Sequence, residues 1–283
     1  MAITAEIILS TMHSPDPHFR SLEDFLISRP LDIDGQYEDG WGEPFPVKGR
    51  EIEATVLFSD IAAFSERTQD LSPAETLFFV NNFFAWISAE AIRGCHGIVD
   101  KYIGDEIMIV FSREFGSEDP FAEAVRVARW MGQNDVLAFC PHVGIASGPV
   151  IVGYVGTSLK YNCSVFGRPV ALAARCAAVK PEAKGPYGAA IVFPAEALEG
   201  REVSELAPPE RYRNTDGSVT EALSDWELLE PRSVEVKRTS LNVRELVKTS
   251  IWIPNSGSGA EDRAREGLIA LKKAGLYRPN QST

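Results

Sequence analysis

From residue 51 onward, short apolar runs of strand-like character alternate with longer stretches of helical period. Ile52 to Phe58 reads as a strand. Ser72-Pro73-Ala74-Glu75 places a Ser at an N-cap, Pro at the first helical position and Glu at N3, which predicts a helix running to Ile92 and stopping before Gly94. Leu77, Phe78, Val80, Phe84 and Ile87 follow helical spacing, and Phe79, Phe83 and Trp86 widen the stripe, as in a core helix or a subunit interface. Ile98 to Tyr102 and Ile107 to Phe111 bracket Gly104-Asp105, predicting a hairpin with Asp105 at its turn. Asp119-Pro120 opens a second helix to about Met131. His142 to Ala146 and Val150 to Val155 are expected to form another hairpin around Ser147-Gly148-Pro149. An Ala-rich helix follows from Pro169 to Val179, then a strand from Ala189 to Phe193. Trp226 to Leu229, Val234 to Lys237 and Val243 to Val247 look like closing strands. Helices and strands alternate but hairpins interrupt them, so the predicted class is α+β or mixed-sheet α/β, not a doubly wound fold.

The two ends read differently. Phe19 to Ile27 has the spacing of a short amphipathic helix. Pro30, Gly35, Gly40, Gly42, Pro44, Pro46 and Gly49 then punctuate what is expected to be a linker, with Trp41 and Phe45 packing it on the domain flank. Pro254 to Gly259 is a second linker, and Ala260 to Ala274 a docking helix with Gly275 as its C-cap. The expected organisation is a lead over 1–50, a catalytic domain over 51–250 and a linker with helix over 251–283.

Composition narrows the class. The chain has 283 residues with 45% apolar and 24% charged, ordinary for a globular protein, and a net charge of −12. An acidic surface disfavours nonspecific nucleic-acid binding. Cys95, Cys140, Cys163 and Cys176 form no CxxC pair and the four His are scattered, so reduced buried thiols are expected and a zinc site is not. No apolar run approaches 18 residues, and Ile7-Ile8-Leu9 beside Glu6 is too short for a signal peptide. A soluble cytoplasmic protein with no membrane partner is expected.

Two strands end on a carboxylate: Thr55-Val56-Leu57-Phe58-Ser59-Asp60-Ile61, and Lys101-Tyr102-Ile103-Gly104-Asp105 followed by Glu106-Ile107-Met108-Ile109-Val110-Phe111. Carboxylates on rigid strands suit hard divalent cations, and Mg²⁺ is commonly held by one or two of them plus substrate phosphates. This pattern points to phosphoryl chemistry. Singly, Asp60 also reads as a helix cap, Asp105 as a turn residue, and Arg175 or Lys237 as a solvated charge.

Four motifs in order carry a resemblance: Phe58-Ser59-Asp60-Ile61; Lys101-Tyr102-Ile103-Gly104-Asp105; Gly144-Ile145-Ala146-Ser147-Gly148-Pro149-Val150 with Gly153 and Gly156; and Val165-Phe166-Gly167 leading to Leu172-Ala173-Ala174-Arg175. Val234-Glu235-Val236-Lys237 is a weaker fifth. Residues 51 to 247 thereby resemble the catalytic domain of class III nucleotidyl cyclases. The resemblance implies an α+β, ferredoxin-like core with a mixed, mostly antiparallel sheet flanked by helices, acting as a head-to-tail homodimer with active sites shared between subunits. It implies two Mg²⁺ or Mn²⁺ per site, held by Asp60, Asp105 and the Ile61 carbonyl, which activate the 3′-hydroxyl of a nucleoside triphosphate and hold its phosphates. Arg175 matches the arginine that stabilises the α-phosphate at the transition state, and Lys237 a lysine on the terminal phosphates. Lys101 and Ser164 fall at the base-reading positions, and Ile61 and Phe64 belong with the substrate-binding set.

The chain departs from the family pattern at four places, one of them Gly167-Arg168-Pro169 in place of the usual small or polar stretch. Ser164 stands where purine cyclases usually place Asp, Cys or Thr, Ala171 where they usually have Asn, and Arg238 where Gly is usual. Three readings follow: a cyclase-like binding module without turnover, an adenylyl cyclase with atypical support, or an enzyme for another base. Lys101 can only donate, and Ser164 can donate or accept, which suits the O2 and O4 carbonyls of uracil. A short lead with no sensor domain or membrane segment is similar to the stand-alone bacterial pyrimidine cyclases that make cyclic UMP or cyclic CMP in defence against phage. The resemblance therefore implies UTP as substrate, cyclic UMP as product, and a downstream cyclic-nucleotide receptor.

Overall fold

The computed structural model describes residues 6–7, 19–88, 92–133, 135, 137–157, 159–182, 189–213, 218–222, 225–249 and 259–278. In chain order its strands are β1 (Glu6–Ile7), β2 (Ile33–Glu38), β3 (Pro44–Asp60), β4 (Ile98–Ile103), β5 (Glu106–Phe111), β6 (His142–Thr157), β7 (Lys160–Phe166), β8 (Ala190–Pro194), β9 (Glu210–Arg213), β10 (Val219–Ala222), β11 (Trp226–Leu228), β12 (Arg232–Val236) and β13 (Thr239–Lys248). The helices are α1 (Leu22–Ile27), α2 (Phe64–Arg67), α3 (Pro73–Asn82), α4 (Pro120–Gln133), α5 (Arg168–Ala177), α6 (Val203–Leu206) and α7 (Ala260–Lys273).

Ten strands make one sheet in the order β11-β13-β8-β6-β3-β5-β4, with β12 beside β13, β2 beside β3 and β7 beside β6. Its ladders are antiparallel except β6 with β8, which α5 connects as a crossover. The sheet is mixed and mostly antiparallel, as the resemblance implies.

β3 explains the two-sided core. Residues Ala54 to Ser59 are all buried, because side chains alternate between two packed faces. Leu57 joins Phe79, Phe83, Ile107, Ile109 and Phe139 under α3 and α4. Val56 and Phe58 join Phe25, Val110, Val152 and Ala173 under α1 and α5. Gly144 permits that second layer: a Cβ there would stand 2.1 Å from the Ala173 carbonyl oxygen, so only glycine lets α5 lie this close to β6.

α1 is fixed by charge as well as burial. Arg50 on β3 donates to the Phe25 and Leu26 carbonyls at 3.3 and 3.2 Å and lies 4.7 Å from the Phe25 ring centroid. These carbonyls sit at the helix C-terminus, where a cation is favoured. Ser21 caps the other end, accepting from the Asp24 N–H at 3.0 Å. α7 lies against α3, burying Ala260, Ala264 and Leu268, with Glu261 paired to Arg67 at 2.5 Å.

Several expectations are corrected. The stretch from 30 to 49 is not a linker: β2 pairs with the start of β3 as a hairpin. Asp39 builds its turn by accepting from the Trp41 and Glu43 N–H groups at 2.7 and 3.0 Å. Trp41 at the tip is 92% exposed rather than packed, while Phe45 meets Tyr37 edge-on at 5.8 Å. Ser147-Gly148-Pro149 is no turn either. β6 runs straight through it, because β3 continues opposite: Thr55, Ala54 and Glu53 pair with Ser147, Gly148 and Pro149 in unbroken register. The hairpin comes later, between β6 and β7. The helix opened by the Ser72–Glu75 capping box is α-helical only to Asn82, then continues as a π-helix over Phe83–Ser88; residues 89–91 lie outside the described residues. The small β1-β9-β10 sheet has no counterpart in the sequence reading. The expected 254–259 linker falls mostly outside the described residues.

Candidate active site

Asp60 ends β3, and Asp105 sits in the β4–β5 turn behind Gly104, whose φ of +64° suits glycine. β3 and β5 are neighbours, and pairing Ser59 with Ile107 brings Asp60 level with Glu106 and Ile61 level with Asp105. Three carboxylates thus gather in one corner. Burial, then the charges of Asp105 and Glu106, push Asp60 up to about 7. Burial also raises Asp105, offset by hydrogen bonding from its own backbone and that of Ile61. Glu106 is raised by burial and by Asp105, and pulled back by Lys237.

Asp60 Oδ1 is buried and has no hydrogen-bond partner. His142, its register partner on β6, holds Nδ1 3.9 Å away, too long for a hydrogen bond, and burial keeps that imidazole below its ordinary pKa. A buried acceptor without a donor, among carboxylates that repel one another, fits a divalent cation. Among the described residues no three acidic, thiol or imidazole side chains converge as a complete chelate. Two carboxylates supplemented by substrate phosphates match what Mg²⁺ takes.

The predicted base-reading pair also comes together. The Lys101 ammonium donates to Ser164 Oγ at 2.6 Å, and Ser164 donates to Asp100 Oδ2 at 2.8 Å. Lys101 is also 3.3 Å from Asp100, whose side chain is fully buried. Beside them opens a cavity of about 370 Å³, within the range of small-molecule sites. Tyr154, Asn162 and Cys163 from β6 and β7 form one wall, and Ser21, Leu22 and Glu23 at the start of α1 form another. Tyr154 donates to Glu23 at 3.0 Å, and burial, then this contact, raises the phenol to about 12, so it remains a donor.

The other expected residues are placed separately. Arg175 lies in the last turn of α5, half-buried, one turn after exposed Ala171, and makes no hydrogen bond or ion pair with a described residue. Lys237 is exposed at the β12–β13 turn, where Lys237 and Arg238 take φ of 48° and 64°. Such backbone disfavours both residues, yet it holds a cation near Glu106. Phe64 opens α2 and turns its ring to the core, 6.2 Å from Phe79. Ile61 is buried behind Asp60. The four thiols are all raised, Cys95 to about 11 and the others to about 12, each chiefly by burial.

Sequence reasoning missed Asp100, His142, Glu23 and Tyr154. Asp100 was legible as a charge inside an apolar strand. Glu23 and Tyr154 carried no signal, because their meeting depends on where α1 docks.

Residues 47–184 match the family described as adenylate and guanylate cyclase catalytic domain. An uncharacterized protein of Mycobacterium tuberculosis is 32% identical over 130 residues, 45% of this chain and 24% of that protein. The chain thus spans about a quarter of that relative's length. The guanylyl cyclase Cya2 superposes with a TM-score of 0.52 at 20% identity, over 74% of this chain and 98% of that one. The adenylyl cyclase CyaB from Pseudomonas aeruginosa gives 0.52 at 17% identity, over 74% and 99%. The fold is that of class III cyclases, and likeness to cyclases named for two different bases does not choose between bases. Among the described residues no helix is long and apolar enough to cross a membrane.

Proposed function

We propose, from an adenylate/guanylate cyclase catalytic domain in a class III cyclase fold, that this chain is a metal-dependent nucleotidyl cyclase acting on a nucleoside triphosphate, with UTP as the substrate and cyclic UMP and pyrophosphate as products. The observation that carries the reading is the Asp60 carboxylate, pushed up to about 7 beside Asp105 with one oxygen unpartnered. A buried acid in this state lacks a counter-charge.

Asp60 and Asp105, with the Ile61 carbonyl, would hold Mg²⁺ or Mn²⁺. A divalent ion bound there supplies acidity to the 3′-hydroxyl and neutralises phosphate charge. The chain's own residues do the rest. Lys101 donates to the base, Lys237 attracts the terminal phosphates, and Arg175 braces the α-phosphate, its fork matched to two oxygens. Attack of the 3′-oxygen on the α-phosphorus forms the new P–O bond while the bond to the pyrophosphate oxygen breaks, and the hydroxyl proton leaves to solvent. Catalysis is positioning plus charge stabilisation.

The reading includes a homodimer with shared sites, a catalytic unit over 51–250, a cytoplasmic setting and a downstream receptor for the cyclic product. A second-messenger role in defence against phage rests on the resemblance to pyrimidine cyclases. The test is the purified chain with Mn²⁺ and each of ATP, GTP, CTP and UTP in turn. Cyclic UMP is expected; no cyclic product from any of the four overturns the function, and a clear preference for another triphosphate overturns the uridine assignment.

A further inference from the structure

In a regular strand, consecutive side chains point to opposite faces. Asp100 and Lys101 are consecutive on β4, yet both reach Ser164 on β7. The β4–β5 register shifts between Val99 and Lys101, leaving Asp100 without a partner residue on β5. A bulge of this kind re-aims a side chain. Here it turns two neighbours of opposite charge toward one serine.

The bonds then fix the direction of every proton. A serine has one donor, and Ser164 gives it to Asp100 Oδ2 at 2.8 Å. Ser164 accepts from Lys101 at 2.6 Å and is itself 1% exposed. Asp100 is 0% exposed at its side chain, and its Oδ1 is buried with no hydrogen-bond partner. Neither the Ser164 hydroxyl nor the Asp100 carboxylate is open to a ligand. Lys101, 40% exposed and with three donors of which the serine takes one, is the group that meets the cavity.

We propose that Asp100 is a positioning residue that sets base selection: by taking the Ser164 proton and holding the Lys101 ammonium, it makes this wall of the pocket a donor only. Such a wall suits a carbonyl edge, O4 of uracil or O6 of guanine, and opposes the amino edge that cytosine and adenine present. An amide at 100 can turn its NH₂ toward Ser164, freeing the hydroxyl to point elsewhere and loosening the lysine. The inference rests on the cyclase reading above and adds to it the residue that enforces the choice.

The experiment is kcat/KM for UTP, CTP, GTP and ATP with the wild type, Asp100→Asn and Ser164→Ala, each checked for folding by thermal melting. The wild type is expected to prefer a carbonyl-edge base. Asp100→Asn is expected to lower the UTP:CTP ratio at least tenfold, through KM more than kcat, and Ser164→Ala to shift it the same way by less. A residue with a merely structural role would lower all four rates together, and that result overturns the inference while leaving the cyclase reading intact. A wild type that prefers CTP or ATP overturns it as well. Should Asp100→Asn fail to fold, the Ser164→Ala ratio decides: no shift overturns it. A wild type preferring GTP would support the donor wall and sink only the uridine assignment. Absence of any product would sink the cyclase reading and this inference together.

Discussion

Asp60 and His142 face each other across β3 and β6, Oδ1 to Nδ1 3.9 Å, and no proton is shared between them. The imidazole is held below its ordinary pKa by burial and supplies no charge at neutral pH, so the acid corner depends on a cation from outside. Asp60→Asn keeps the shape and removes that demand. We expect kcat to fall by at least about 100- to 1000-fold with the fold retained, measured as pyrophosphate release beside circular dichroism.

The same carboxylate ties stability to pH. Its native pKa of about 7 lies above the ordinary aspartate value of 3.8, so the native state holds more protons than the unfolded chain between those values. Stability from this group is full below the unfolded pKa and is lost as pH rises through about 7. Metal-free protein should therefore melt lower at pH 8 than at pH 5 by a larger margin than Asp60→Asn does. Saturating Mg²⁺ should shrink the difference. Equal pH dependence in the two proteins would remove the argument for a starved acid site.

Arg175 makes no hydrogen bond or ion pair with a described residue of its own chain, which fits a site completed by a second subunit. Mixing Asp105→Asn with Arg175→Ala protein should restore activity, because a mixed dimer keeps one site with both native residues. Random pairing should give about a quarter of wild-type activity. Absence of rescue in a confirmed mixed dimer argues against shared sites.

Arg50→Met removes both bonds that hold the end of α1 while keeping a buried apolar stem. Loss of about 2 kcal/mol is expected, with α1 exchanging its amides faster. Since Glu23 walls the cavity, KM for the triphosphate should rise severalfold with kcat nearly unchanged. Hydrogen exchange and steady-state kinetics on one sample check both halves.

The β12–β13 turn separates stability from function. Two non-glycine residues with positive φ cost about 1–2 kcal/mol each, whereas Asn-Gly fits such a turn. The double variant Lys237→Asn, Arg238→Gly should raise the melting temperature and raise KM. A variant that is stabilised with unchanged KM would remove Lys237 from the phosphate site.

The sequence was most legible where local chemistry and long-range pairing agree. The Ser72–Glu75 box, the Gly104-Asp105 turn and the apolar run before Asp60 each occupy the structure that their residues prefer. It misled where a distant strand overrode a local signal. Ser147-Gly148-Pro149 has turn chemistry, and β3 lying alongside straightens it. The Gly and Pro count over 30–49 hid the Asp39-Gly40 turn, whose side chain builds the hairpin. The resemblance singled out Lys101 and Ser164, and the structure brings the two together. Asp100 showed only as a charge inside an apolar strand; its partnership with Ser164 did not, because only a bulge lets it share a face with its neighbour.

β3 also sets a schedule for synthesis. Its apolar half needs β6, whose first residue, His142, follows Asp60 by 82 positions (142 − 60). A ribosome adding about 5–20 residues per second would leave Val56, Leu57 and Phe58 without that partner for roughly 4–16 seconds. β5 can join earlier and guard one edge, but the other waits. The strand that carries the acid corner is thus also a stretch of nascent chain left with one apolar edge unguarded until β6 emerges.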